Sequence, residues 1–382
     1  MNVHSDTSRR ARPRLWGCLL VLGLALSSAA CFGQAAPLPP IDGKGGPTAG
    51  EADASTSGDG GASTSNDADA SIANDADGST SNDADGSTPG QHEPGSDASG
   101  NAADDAAVTA PPGAGLCCAD GHCYCRGDAP TKSSSAAGPY QVASYTLPRS
   151  TEHGGGTIYY PSDAEPPFAG AVFCPGLGSV QALHKDWGTF LASWGIVLVT
   201  MDVLNTQDSV AARGKQLLAM ATQLRGERDR DGSPLRGKLG DRIGTMGWSM
   251  GGGASWIAAA QDPTLKSSIS LAGHNATGGG AENSKGTTVP SLLLNGGLDR
   301  TILGGQGQSQ GVYRIMPDMT PKLMYVVGDQ GHFNWSGPTS AGPVAGEFVL
   351  SFQKTFLEGD TRWRQFLYPK PANASEFQTN LK

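Results

Sequence analysis

Eight short apolar runs, set apart by turn residues and helix-like stretches, occupy the chain from about Ser135 to Lys382. They cover residues 142–147, 156–160, 170–174, 196–201, 243–247, 268–272, 291–294 and 323–327. Several are apolar almost without interruption, which is the pattern of strands covered on both faces. Helix-like stretches cover 184–192, 209–224, 250–260 and 345–356. Strands alternating with helices predict an α/β fold, a mostly parallel central sheet with helices on both faces. The roughly 248 residues involved are enough for one sizeable core.

The first third of the 382 residues has a different character. Between Ala36 and Pro112 the chain is mostly Ala, Asp, Ser, Gly, Thr and Pro, and an eight-residue unit recurs as NDADASIA, NDADGSTS and NDADGSTP from Asn66, Asn74 and Asn82. So little apolar surface cannot offset chain entropy, and the segment reads as a disordered linker. Its Asp spacing lacks the ligand pattern of a helix-loop-helix calcium site. The linker carries fourteen acids and one base, whereas residues 113–382 carry 22 bases and 21 acids. The net charge of −9 therefore belongs to the linker, and a nearly neutral folded part gives no sign of a nucleic-acid partner.

Ahead of the linker, Arg9, Arg10, Arg12 and Arg14 precede an apolar run from Leu15 to Leu26 and then Ser-Ser-Ala-Ala-Cys31. Basic, apolar and small residues in that order form an export signal, too short to span a bilayer comfortably. Its end is similar to a lipoprotein signal, which implies lipidation of Cys31 and membrane anchoring; Ser28 departs from that motif, and plain cleavage with secretion is the alternative. Cys117, Cys118, Cys123 and Cys125 crowd into "CCADGHCYC". In an exported chain they read as a small disulfide knot with three possible connectivities, zinc binding with His122 being the sharper alternative. Cys174 ends an apolar run and reads as a buried thiol. The expected organisation is an export signal over 1–31, a linker over 32–112, a Cys-rich segment over 113–134 and the α/β domain over 135–382, the whole monomeric.

Two G-x-S-x-G matches compete, one centred on Ser249 and one on Ser309. A nucleophile elbow needs a strand leading in, a tight turn and a helix leading out. "RIGTMGW" leads into Ser249 and "MGGGASWIAAA" leads out, whereas Ser309 lies in "LGGQGQSQGVY", polar on both sides, and reads as a surface loop. A nucleophilic serine needs a base, and the base needs an orienting carboxylate, in the chain order Ser, acid, His for this kind of fold. Of the two histidines after Ser249, His332 follows a strand-like run in "DQGHF", and Asp299 follows "SLLLNGG". Both sit past the carboxyl ends of strands, where chemistry clusters in open α/β sheets. Asp262 before Pro263 reads as a helix-end residue, and Asp329 is too near His332 along the chain. The expected catalytic set is Ser249, Asp299 and His332, with the backbone N–H groups of Met250 and Leu177 as the oxyanion donors.

The stretches "GPYQVASYTLPRS", "FCPGLGS", "HKDWGTFLASWGIVLVTMDV", "RIGTMGWSMGGGAS", "VPSLLLNGGLDRTI" and "GHFNW", taken in order, resemble the bacterial cutinases and polyester hydrolases, among them the poly(ethylene terephthalate) hydrolases. The resemblance runs from Gly138 to about Tyr368. It implies an α/β-hydrolase fold, a metal-independent and cofactor-independent acyl-enzyme mechanism, and a shallow cleft for ester substrates. Trp248, His274, Thr301 and Phe333 are the implied substrate-binding residues. Leu177 stands where the family usually has Tyr or Phe, and His274 stands where it usually has Trp. A lipase or general short-chain esterase, a peptidase of similar fold, and an inactive cell-surface binding module are the competing readings.

Overall fold

The computed structural model describes residues 118–119, 122–275, 280–301 and 306–381. The expected leader with Cys31, the linker and Cys117 lie outside the described residues.

A hairpin of β1 (Cys118–Ala119) and β2 (His122–Cys123) comes first. The main sheet follows as β3 (Val142–Leu147), β4 (Gly156–Pro161), β5 (Phe168–Cys174), β6 (Val197–Met201), β7 (Leu239–Trp248), β8 (Ser268–Leu271), β9 (Ser291–Gly296), β10 (Lys322–Val327) and β11 (Ala374–Thr379). Its helices are α1 (Lys185–Ser193), α2 (Val210–Gly226), α3 (Met250–Gln261), α4 (Gln306–Ile315) and α5 (Pro343–Phe352). The nine strands lie in the order β11-β10-β9-β8-β7-β5-β6-β4-β3. The six from β10 to β6 run parallel, while β3, β4 and β11 are antiparallel to their neighbours. The expected α/β-hydrolase architecture is borne out.

Alternation along the strands produces two apolar layers. In β5, Ala169, Ala171 and Phe173 join Trp187 and Phe190 of α1 and Phe348 and Val349 of α5 on one face. Phe168, Val172 and Cys174 face the other way, against Leu217, Met220 and Leu224 of α2 and Ala254 and Ala258 of α3. Cys174 is a free thiol in that second layer, and burial, only partly countered by Arg213, pushes its pKa up to about 12.

Besides the short hairpin of β1 and β2, one strand of the main sheet and one helix escaped the sequence reading. The edge strand β11 is half exposed and polar, ASEFQT, so it lacks the apolar signature of its partners. Ser309, expected in a surface loop, stands instead in α4, fully buried, its hydroxyl donating to Asn295 Oδ1 at 2.7 Å. The helix forms because Val312 and Met316, one turn apart, pack on Trp256, Leu293 and Met324. Tertiary burial outweighs the low helix propensity of Gly307 and Gly311 in this segment.

The Cys-rich segment is joined to the body more closely than its composition suggests. Cys118 and Cys123 are disulfide-bonded, as is Cys125, so these sulfurs are not free to bind zinc. Tyr124 is fully buried in the first apolar layer. Arg126 Nη1 donates to the buried Glu358 carboxylate at 3.0 Å, and Lys354 Nζ donates to the other oxygen of that carboxylate at 2.7 Å. Ser133 Oγ donates to the Glu347 carbonyl at 2.8 Å.

Candidate active site

The order of the strands decides where a site can form. Chain progression reverses at β5, which lies between β6 and β7, so the loops leaving β5 and β7 diverge and open a crevice at the carboxyl ends of the strands. Ser249 alone makes the turn between β7 and α3, with φ 55° and ψ −121°. A non-glycine residue in that region costs on the order of 1–3 kcal/mol and persists only where its surroundings hold it. Here its N–H donates to the Leu271 carbonyl at 2.9 Å, while its carbonyl accepts from His274 N–H at 2.9 Å and Gly253 N–H at 3.0 Å. The small residues of the motif are needed for close approach, since a methyl group on Gly251 would collide with the carbonyl oxygen of Cys174.

Two further loops complete the arrangement. His332 lies past the end of β10 and Asp299 past the end of β9. His332 Nδ1 is 2.8 Å from Asp299 Oδ2, and His332 Nε2 is 2.9 Å from Ser249 Oγ. An ionised carboxylate can only accept, so Nδ1 carries the hydrogen and Nε2 is left to accept from the serine hydroxyl. All three side chains are buried, whereas Phe333 beside them is 75% exposed. Burial alone would raise the Asp299 pKa, but hydrogen bonds from His332 and Thr301 outweigh it and hold the carboxyl below its ordinary value. The rival acids are engaged elsewhere: Asp262 pairs with Arg225 at 3.1 Å, and Asp329 Oδ1 accepts from Gln330 Nε2 at 3.1 Å.

The four residues assigned to substrate binding divide. Phe333 is open to solvent. Trp248 is half-buried, and its Nε1–H donates to the His332 carbonyl at 2.7 Å, so it braces the loop that carries the imidazole. Thr301 engages Asp299: its hydroxyl and N–H both donate to Oδ1, at 2.7 and 3.1 Å. A hydroxyl two residues beyond an aspartate closes such a turn readily. His274 is fully buried, its Nδ1 2.8 Å from Gln308 Nε2, so it offers no open aromatic wall. Gln308 Oε1 also accepts from Asn275 N–H at 2.6 Å, a clasp between α4 and the loop after β8 that no spacing rule could have revealed.

Removal of the Thr301 hydroxyl should therefore act through Asp299. Thr301→Val deletes one hydrogen bond to a charged group, worth about 1.5–3 kcal/mol, while the backbone N–H bond survives. The expected result is a fall of about tenfold or more in kcat on a soluble ester at nearly unchanged KM. A raised KM with normal kcat would return Thr301 to the substrate.

Two backbone amides lie near the serine hydroxyl's turn. Met250 is the first residue of α3, so its N–H has no acceptor within the helix. The loop after β5 lies close to the serine: a Cβ on Gly176 would sit 2.9 Å from Ser249 Cβ. The Gly176 carbonyl accepts from Ser179 N–H at 3.2 Å, and the planar trans peptide directs the Leu177 N–H to the opposite edge.

His184, read only as part of a helix-like stretch, is a buried neighbour of the site. It stacks on Phe173 with ring centroids 4.5 Å apart, lies 5.7 Å from the Trp248 ring, and has Ser179 Oγ 3.3 Å from its Nε2. Burial lowers its pKa to about 4. A histidine that stays neutral when folded contributes stability that is present above its unfolded pKa of about 6.5 and lost as pH falls toward 4. At about 1.4 kcal/mol per unit the loss amounts to roughly 3 kcal/mol. Melting temperatures between pH 7 and 4.5 should therefore fall less steeply in His184→Leu than in the wild type; parallel curves would remove His184 as the cause.

A family model described as PETase, PET hydrolase-like, matches residues 118–381. The bis(hydroxyethyl) terephthalate hydrolase of Streptomyces coelicolor is 36% identical over 254 residues, covering 65% of this chain and 78% of that protein. Cutinase 1 of Thermobifida cellulosilytica is 30% identical over 253 residues, 65% of this chain and 92% of its own length. A cutinase of Thermobifida fusca is 31% identical over 253 residues, with 80% of its length covered.

Proposed function

The chain belongs to the PET hydrolase-like family, and from that membership we propose that it is a serine carboxylic-ester hydrolase of the cutinase and polyesterase type. The observation that carries the mechanism is the hydrogen-bonded series Asp299–His332–Ser249, with Ser249 held in a strained turn. Ser249 Oγ attacks the ester carbonyl while His332 Nε2 takes its proton. Asp299 holds the imidazole in the required tautomer and stabilises the imidazolium. The N–H groups of Met250 and Leu177 receive the negative oxygen. His332 returns the proton to the departing alkoxide as the acyl–oxygen bond breaks, leaving the acyl group on Ser249. Water then attacks the acyl-enzyme, gives its proton to His332 and releases the acid, and the proton passes back to Ser249. No residue in this scheme requires a metal or cofactor.

The substrate class follows from the relatives and from the rim of the site. Leu177, 39% exposed, and Phe333 present apolar surface beside the serine, which suits esters with apolar acyl or alcohol parts, polyesters included. His274 lies buried on Gln308, so a flat aromatic wall at that position is not part of the reading. Export accompanies this activity: the basic-apolar-small leader ending at Cys31 and the disulfide-bonded cysteines both suit an oxidising compartment, with lipidation of Cys31 as the anchor.

A fluorophosphonate probe tests the proposal. It should label Ser249 stoichiometrically, located by peptide mapping, with loss of p-nitrophenyl butyrate hydrolysis in proportion. A folded protein that takes no label and cleaves no ester would be a binding module, and the proposal would be wrong.

A further inference from the structure

Arg213 in α2 is one of the largest fully buried side chains, and no carboxylate pairs with it among the described residues. Three of its guanidinium N–H groups donate to backbone carbonyls: Nη1 to Pro175 at 3.0 Å, Nη2 to Thr206 at 2.7 Å and Nε to Asp208 at 3.0 Å. Asp208 gives it only a carbonyl, its carboxylate accepting from Gln216 Nε2 at 2.7 Å and Asn205 N–H at 3.0 Å. The Thr206 carbonyl also accepts from Gly178 N–H at 2.9 Å. Both ends of the segment 175–178 are thus tied to one hub, Pro175 through its carbonyl and Gly178 through its N–H. Between them lies Leu177.

Burying a cation without a counter-charge is costly, and packing alone would be served by an apolar residue of similar volume. What an apolar residue cannot do is tie three carbonyls from two separate loops at fixed spacing. The planar fork of arginine does this, and a lysine ammonium at the end of a flexible stem does so poorly.

We propose that Arg213 is a positioning residue for the oxyanion site, holding the loop after β5 so that the Leu177 N–H meets the negative oxygen formed on the ester carbonyl. The inference rests on the ester-hydrolase reading above. Arg213 touches no substrate; it acts through Pro175 and Thr206. Since a displacement of about 1 Å in a donor can cost on the order of a hundredfold in rate, loosening this clamp should be visible in turnover.

The test compares wild type, Arg213→Gln and Arg213→Lys on p-nitrophenyl butyrate, together with inhibition by phenylboronic acid, which forms a tetrahedral, negatively charged adduct on the serine. Circular dichroism and melting curves confirm that each variant is folded at the assay temperature. Arg213→Gln should lose roughly 10- to 100-fold in kcat with KM within about threefold, and should lose boronate affinity in parallel. Arg213→Lys keeps the charge but not the fork and should fall between. A folded Arg213→Gln with wild-type kcat overturns the proposal, as does a loss of kcat with boronate affinity intact. If Arg213→Gln does not fold, Arg213→Lys decides, and wild-type kcat and boronate affinity in that variant overturn it. A wild type that neither hydrolyses the ester nor binds boronate would sink the ester-hydrolase reading and this inference with it, whereas unchanged variants of an active wild type sink the inference alone.

Discussion

Ser249→Ala should abolish hydrolysis of a short p-nitrophenyl ester, lowering kcat by about 10⁴-fold or more, whereas Ser309→Ala should leave kcat within about twofold. The two serines share the same five-residue motif but not the same surroundings. Ser249 Oγ lies 2.9 Å from His332 Nε2 on a turn that strand and helix hold under strain. Ser309 lies inside α4, and its hydroxyl serves Asn295. Loss of the Ser309 hydroxyl leaves a buried acceptor short of its donor, which costs about 1–3 kcal/mol of stability, so Ser309→Ala should melt several degrees lower while turning over normally. Hydrolysis surviving in Ser249→Ala and lost in a folded Ser309→Ala would reverse the assignment.

Removal of the Cys-rich segment should be nearly as severe for the fold. A chain beginning at Gly115 keeps every contact described above and should melt with the full chain. A chain beginning at Ser135 loses Tyr124 from the first apolar layer, and deleting a buried aromatic of this size costs roughly 3–5 kcal/mol. It also loses Arg126, one of the two cations on the buried Glu358 carboxylate, leaving Lys354 alone beside it. A native domain holds only about 5–15 kcal/mol in total, so much of this shorter chain should be unfolded at 37 °C. Melting curves of the two chains provide the comparison. Equal melting temperatures would mean that the segment merely rests on the body.

The sequence carried the architecture because the signals for it are local. Strands covered on both faces are apolar along most of their length, as in VLVTM of β6 and SLLLNG of β9, and a helix between two such runs leaves a parallel sheet as the outcome. The site was legible for a related reason. Its chemistry demands a serine at a strand-to-helix turn, then an acid, then a histidine, each past the end of a strand, and that order survives in one dimension. Ser249, Asp299 and His332 could therefore be singled out although Ser249 and His332 lie 83 residues apart.

Tertiary structure decided what depends on a partner rather than on a pattern. The helix α4 exists because Val312 and Met316 find Trp256, Leu293 and Met324; its own composition argues for a loop. Thr301 turns to Asp299 and His274 to Gln308, where the resemblance implied contacts with substrate. Tyr124 lies beyond the expected domain boundary yet belongs to the core. Arg213 reads as one more base on a helix until Pro175 and Thr206 meet its guanidinium. Periodicity and chain order are properties of neighbours along the chain, so a sequence displays them directly. The direction of a polar side chain is set by whichever donor or acceptor, often tens of residues away, spares it from being buried unpaired, and only the folded chain brings the two together.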